Sequence, residues 1–145
     1  MEIFPIFITI VGFIIGLGAV IVIDLHGFLG RTSAYWTEAT IRAHKVTKPL
    51  IWVGIVLVTI GALLMKSAYI ISLAEYSIWM NVIIILIANG LFLSFVISPK
   101  LIHREKMGLS QELLPKKMQH QVMGSFILSF IGWWSLVFLF INVIR

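Results

Sequence analysis

IFPIFITIVGFIIGLGAVIVI, residues 3–23, carries no charged side chain along its whole length. About 20 mostly apolar residues are needed to cross about 30 Å of hydrocarbon. With no water in that layer, such a segment must be a helix that satisfies its own backbone. Outward from it, 49–65, 78–98 and 122–144 have the same character, again with no charged residue. The second stretch is short, so its helix is expected to start upstream near Thr37 and to enter the apolar layer at Pro49. The intervening segments 24–48 and 99–121 then read as polar loops.

The whole chain agrees with this reading. Of its 145 residues, 60% are hydrophobic and 12% charged, against roughly 45–50% and about 25% in soluble domains. A chain this small has too much surface to hide that much apolar matter inside. Ordinary soluble, disordered and collagenous classes are excluded. The expected fold is all-α: a single integral membrane domain over 1–145, a four-helix bundle built from two helical hairpins. Cysteine is absent, which removes disulfides, thiolate metal sites and thiol nucleophiles. The first span begins directly behind Glu2, without a basic leader or small-residue cleavage site, which argues against a signal peptide.

The net charge of +5 sorts by loop. Arg31, Arg42, Lys45 and Lys48 lie in the first basic segment. Lys100, Arg104, Lys106, Lys116 and Lys117 lie in the second. The opposite side has Lys66 and Arg145. The positive-inside rule puts both basic loops in the cytoplasm and both termini outside a cell membrane. The charge is thus a topology signal. It implies the lipid bilayer as partner, anionic headgroups included, and no nucleic acid. Tyr35 and Trp36 on one side, and Tyr69, Tyr76 and Trp79 on the other, fit interfacial belts.

Each half of the chain repeats one layout. Gly16-Leu17 is followed 28 residues later by His44, and Gly90-Leu91 is followed 30 residues later by His120. Both halves share an orientation, so the repeat is parallel. Gly27-Phe28-Leu29-Gly30 reads as a turn after the first helix. Ser110-Gln111-Glu112 reads as a cap for the fourth helix, with Pro115 early in it. Pro49 is expected to kink the second helix or free a carbonyl there.

The histidines are the candidate chemistry. His26, His44, His103 and His120 each belong to a different helix or its extension, all at the basic end. A rise of about 1.5 Å per residue places them in a slab roughly 10 Å thick. Neutral imidazoles are good metal ligands. Two on opposite helices can hold a haem b iron axially; three or four can hold one divalent metal ion. His44 and His120 are the preferred axial pair, with Lys45 and Lys48 among the partners for haem propionates. Gly124, one turn from His120, leaves room for a flat porphyrin or allows tight helix packing. Asp24, with Glu38, Glu105 and Glu112, is a candidate metal ligand or ligand-orienting carboxylate. Plain interfacial placement is the competing account of all four histidines.

Gly12-x-x-x-Gly16 and Ser125-x-x-x-Ser129 are small-residue contact patterns, and the Gly12/Gly16 face is a candidate for docking a second chain of the same or another kind. Asn89, mid-span, should face the interior as an interhelical bond or a quinone or ligand bond. Trp52, Trp133 and Trp134 would pack the core or stack on a flat cofactor. No charged residue lies deep in a span, which argues against a cation-coupled transporter. Phosphate-loop, GxSxG and HExxH motifs are absent, so no enzyme class is assigned.

His44-Lys45-Val46-Thr47-Lys48-Pro49-Leu50-Ile51-Trp52, continued by Val58-Thr59-Ile60-Gly61, resembles the second span of small four-helix bacterial membrane proteins of the copper-resistance-D type and the HemJ-type protoporphyrinogen oxidases. The resemblance covers about one helix of four and implies haem b or metal binding in a four-helix bundle. Those relatives carry a histidine near the outer start of the first span; here Phe4 to Ile10 has none. The expected function is a membrane-bound haem b or metal-binding redox protein passing electrons to a quinone or other redox partner. The alternatives are a divalent-metal binder or carrier, and a cofactor-free assembly subunit.

Overall fold

The computed structural model describes residues 3–68 and 71–145; Tyr69, assigned above to an aromatic belt, lies outside the described residues. The regular elements are all helical: α1 (Ile3–Leu29), α2 (Ala34–Ala68), α3 (Leu73–Phe92), a π-helical turn (Leu93–Ile97), α4 (Ser98–Lys106) and α5 (Lys116–Ile144). α3, the π turn and α4 run on as one rod. Among the described residues, four helices are therefore long and apolar enough to cross a membrane.

Their apolar runs explain their length, and their ends explain where the sequence reading needs correcting. α1 does not turn at Gly27; it stays helical to Leu29. The reversal falls at Gly30, whose N–H donates to His26 O (2.8 Å) and whose carbonyl accepts from Thr37 Oγ1 (2.8 Å). α2 accordingly starts at Ala34 rather than Thr37, and continues through Pro49. Thr9, Thr40, Thr47 and Thr59 each donate a hydroxyl to the carbonyl four residues back, at 2.7–2.9 Å. Such back-bonding lets a hydroxyl sit in an apolar helix without a partner elsewhere.

α3 opens on a reciprocal cap. Ser72 Oγ accepts from Glu75 N–H (3.2 Å) while Ser72 N–H donates to the Glu75 carboxylate (3.2 Å). The Ser72 hydroxyl also donates to the Glu75 carboxylate (2.7 Å), and this bond, with that from the Ser72 N–H, holds the exposed Glu75 carboxyl below its ordinary range. The rod passes Ser98 and runs eight residues beyond the expected span end, to Lys106. The π turn widens the helix just before Pro99, so the ring is accommodated without ending it.

The expected cap at Ser110–Glu112 is also corrected. Residues 107–115 are irregular, Gly108 takes φ +73°, and α5 begins at Lys116 behind Pro115. A proline disfavours helical backbone in the residue before it, so no helix runs through Leu114. The Arg104 guanidinium ties this segment down by donating to Leu109 O, Glu112 O and Leu113 O at 3.2–3.3 Å. Arg104→Ala is expected to raise the rate of proteolytic cleavage within 107–115 by on the order of tenfold, the equivalent of about 1.4 kcal/mol. An unchanged rate in limited proteolysis would show that the segment is held by something else.

α1 packs on α2 and α5, and α3 packs on the same two helices. The α1–α2 contact is built from small residues. Gly12 lies against Val58, and Gly54 stacks on the backbone of Gly16, which also receives the Trp133 ring. Gly61 sits on Thr9 in the same way. The Gly12/Gly16 face is thus buried inside the chain. Trp133, Leu136, Phe13, Val58, Ile83 and Leu86 fill the centre. Between Ile55, Val58, Ile83, Leu86, Trp133 and Leu136 no space for a water remains. Asn89 clamps α3 to α5: its Nδ2 donates to Ser125 O (3.0 Å) and its Oδ1 accepts from Ser125 Oγ (2.7 Å). Of the two readings of Asn89, the interhelical bond is the one the contacts show. Trp134 is exposed on the outer surface, whereas Trp133 is core.

Candidate functional site

At the basic end the packed centre opens into a cavity reached by all four long helices. Its enclosed space amounts to about 60 Å³. α1 supplies Ile23, Asp24, Gly27 and Phe28; α2 supplies Thr40, His44, Lys48, Ile51 and Trp52. Gly90, Ser94 of the π turn, Leu101, Leu114 and Phe126 complete the wall. The enclosed part has room for a few waters, since one needs about 10–15 Å³.

Two polar groups stand out against this mainly apolar wall. Asp24 Oδ2 and His44 Nε2 are both buried without a hydrogen-bond partner in the protein. They come from different helices, brought to one cavity by the fold-back at Gly30. A buried polar atom left unpaired costs about 1–3 kcal/mol, so the pair is poised to bind something. Lys48, one turn beyond His44 on α2, adds a positive charge to the same wall. Trp52 is fixed in place: its Nε1 donates to Ser94 Oγ at 3.2 Å, and its ring lies against Gly90.

The other expected site residues lie elsewhere. His26 turns back along α1, with Nδ1 2.7 Å from Val22 O, and meets Trp36 edge-on at 5.3 Å between ring centroids. His103 and His120 are exposed. Gly124 is exposed as well, with open space where a Cβ would stand. It borders a shallow groove shared with Ala88, Asn89 and Leu128 that meets the cavity wall at Ser125, and Gly124 itself does not line the cavity. Lys45 is ion-paired with Glu105 at 2.8 Å, and Glu38 pairs with Arg42. Of the eleven histidines, lysines, glycine and carboxylates that the sequence singles out, Asp24, His44 and Lys48 share the cavity.

This donor set bears on the cofactors considered above. Among the described residues no three His, Cys, Asp or Glu side chains gather as a metal cage. His44 is the one imidazole on the cavity wall, and a bis-histidine haem needs two. The residues present therefore do not fit an axially clamped haem b. Sequence reasoning passes over Gly27 as a lining residue and gives Ser94 only a weaker form of the Asn89 reading, a ligand or interhelical hydrogen bond. The π turn that presents Ser94 to Trp52 has no composition signal beyond the nearby Pro99.

The fold and the cavity define a class: among the described residues, an all-α chain with four helices apolar enough to span a bilayer and a partly enclosed site at the basic end. Compared with known proteins, the chain matches no family model, no curated sequence and no solved structure. The assignment of the site rests on its own residues.

Proposed function

We propose that this chain is a cell-membrane protein with both basic loops in the cytoplasm and both termini outside, and that its Asp24–His44 cavity binds the polar head of a lipid-soluble small molecule of the quinone and quinol class. The observation that carries this reading is the pair of buried, unpartnered atoms, Asp24 Oδ2 and His44 Nε2, in one mainly apolar cavity. Ligand pockets have this character: apolar walls with a few convergent polar groups that fix orientation. A quinol carries two hydroxyls on opposite edges of a flat ring. One would donate to the Asp24 carboxylate and the other would bond His44 Nε2, while Trp52 offers a rigid aromatic wall. The distribution of Lys and Arg supports the orientation. The two hairpins are read as a parallel repeat in which only the first-half histidine, His44, has kept a place on the cavity.

A second reading draws on the same pair. An imidazole nitrogen and a carboxylate oxygen are ligands that a divalent metal ion accepts, with water completing its shell. Equilibrium binding separates the two. Protein purified in detergent is titrated with a decyl-tailed benzoquinol, alongside metal analysis and a visible spectrum. Saturable binding is expected, weakened at least tenfold, or about 1.4 kcal/mol, by either His44→Ala or Asp24→Asn. A stoichiometric metal lost in both variants would transfer the site to the metal reading. A haem absorption band would restore the redox-carrier expectation. Binding that neither variant alters would remove the cavity from consideration and leave an assembly subunit.

A further inference from the structure

We infer that the cavity is loaded sideways from the lipid, through the seam between α1 and α5 at Gly27, and that its ligand therefore carries an apolar tail; this rests on the reading of the cavity just given. The argument is one of walls. Towards the middle of the bundle the cavity ends on packing with no space for a water. On the α2–α3 side it is sealed by the Trp52 Nε1 bond to Ser94 Oγ (3.2 Å) and by the indole lying on Gly90. At the basic end Leu101 and Leu114 cover it. That cover is held by Arg104 on the 107–115 carbonyls and by the Lys45–Glu105 ion pair at 2.8 Å.

The α1–α5 side is built differently. Among the described residues no side-chain hydrogen bond crosses it. Gly27 has no side chain to fill it, and a Cβ there would meet only Val122 Cγ1, at 3.6 Å. Phe28 beside it is the one lining residue that is exposed, 46% of its surface being open, so the lining reaches the surface here, with the Arg31 guanidinium over the ring at 4.3 Å. Phe126 and Val122 border the opening with apolar surface. A ring that enters here reaches Asp24 one turn away on α1, and leaves its tail trailing between α1 and α5 into the acyl region.

The absence of cysteine makes the seam directly testable. Gly27→Cys with Val122→Cys sets two thiols facing each other across the seam, where a Cβ at 27 lies 3.6 Å from Val122 Cγ1, and a disulfide between them would staple α1 to α5 at the mouth. In nanodiscs, oxidation of this double variant is expected to slow association of the decyl-tailed benzoquinol at least tenfold, and dithiothreitol is expected to restore it in the same sample. Equal association rates before and after reduction, with the disulfide shown to be complete, would overturn the lateral route while leaving the cavity reading intact. A second measurement needs no variant. The wild-type chain is expected to bind the tailed quinol at least tenfold more tightly than the same ring with a methyl in place of the tail; equal affinity would overturn the tail. Failure of the wild-type chain to bind either ring would instead defeat the cavity reading itself.

Discussion

Gly54→Ala is expected to lower the thermal unfolding midpoint sharply, although alanine is the better helix former. A methyl at Gly54 would overlap Gly16 Cα and stand 2.7 Å from Gly16 N and 3.0 Å from Gly12 O. All three are backbone atoms, so no rotamer change relieves the clash and α1 must move off α2. In lipid there is little hydrophobic drive between helices, and close packing of small residues holds them together. Glycine to alanine in a helix interior gains up to about 1 kcal/mol, and overpacking costs about 1–3 kcal/mol or more. With backbone on both sides of the contact, the net loss is expected near 2 kcal/mol, taken from the upper part of that overpacking range. Gly18→Ala is the internal control, because nothing lies within 4 Å of its added methyl. That variant should be neutral or slightly stabilising. Thermal scans of both proteins in one detergent decide the matter, and shifts of the same sign and size would sink the close-approach account.

Trp133→Ala is expected to destabilise by about 3 kcal/mol, the lower end of the range for removing a buried large aromatic. The lower end applies because lipid-facing alternatives reduce the transfer term and leave mainly the cavity. Trp133 is 1% exposed, rests on Gly16, and meets Phe13 edge-on at 6.4 Å between ring centroids. Its buried Nε1 has no hydrogen-bond partner, so packing is the whole of what is lost. The two positions share one space, and neighbours that share space do not add. Gly16→Leu alone would collide with the indole, but in the Trp133→Ala background it should recover part of the lost stability. Strict additivity in that double-mutant cycle would mean that Trp133 and Gly16 do not hold each other.

Part of the candidate site is legible in the sequence. His44 is legible because depth along a helix can be counted, Asp24 as a carboxylate at that depth, and Lys48 as a basic partner for an anionic group beside them. Depth does not give direction. A helix turns about 100° per residue, following from 3.6 residues per turn, so His120 at a similar depth to His44 points outward while His44 points in. The same limit applies to Gly124, raised as a porphyrin neighbour and placed on the open side of α5. The helix ends fared worse than the middles for a related reason. The cap at Ser110–Glu112 looked sound locally, but Pro115 and the Arg104 clamp on Leu109, Glu112 and Leu113 carbonyls decided where α5 starts.

Sequence alone determined four apolar helices and the sorting of basic residues to one end, because uncharged runs and loop charges are properties of the chain read in order. Only the tertiary structure decided which polar atoms meet. The approach of Gly54 to Gly16 sets the distance between α1 and α2, and the π turn at Leu93–Ile97 presents Ser94 to Trp52. Together they leave Asp24 and His44 facing one cavity without partners, an outcome of interhelical packing that no single helix encodes.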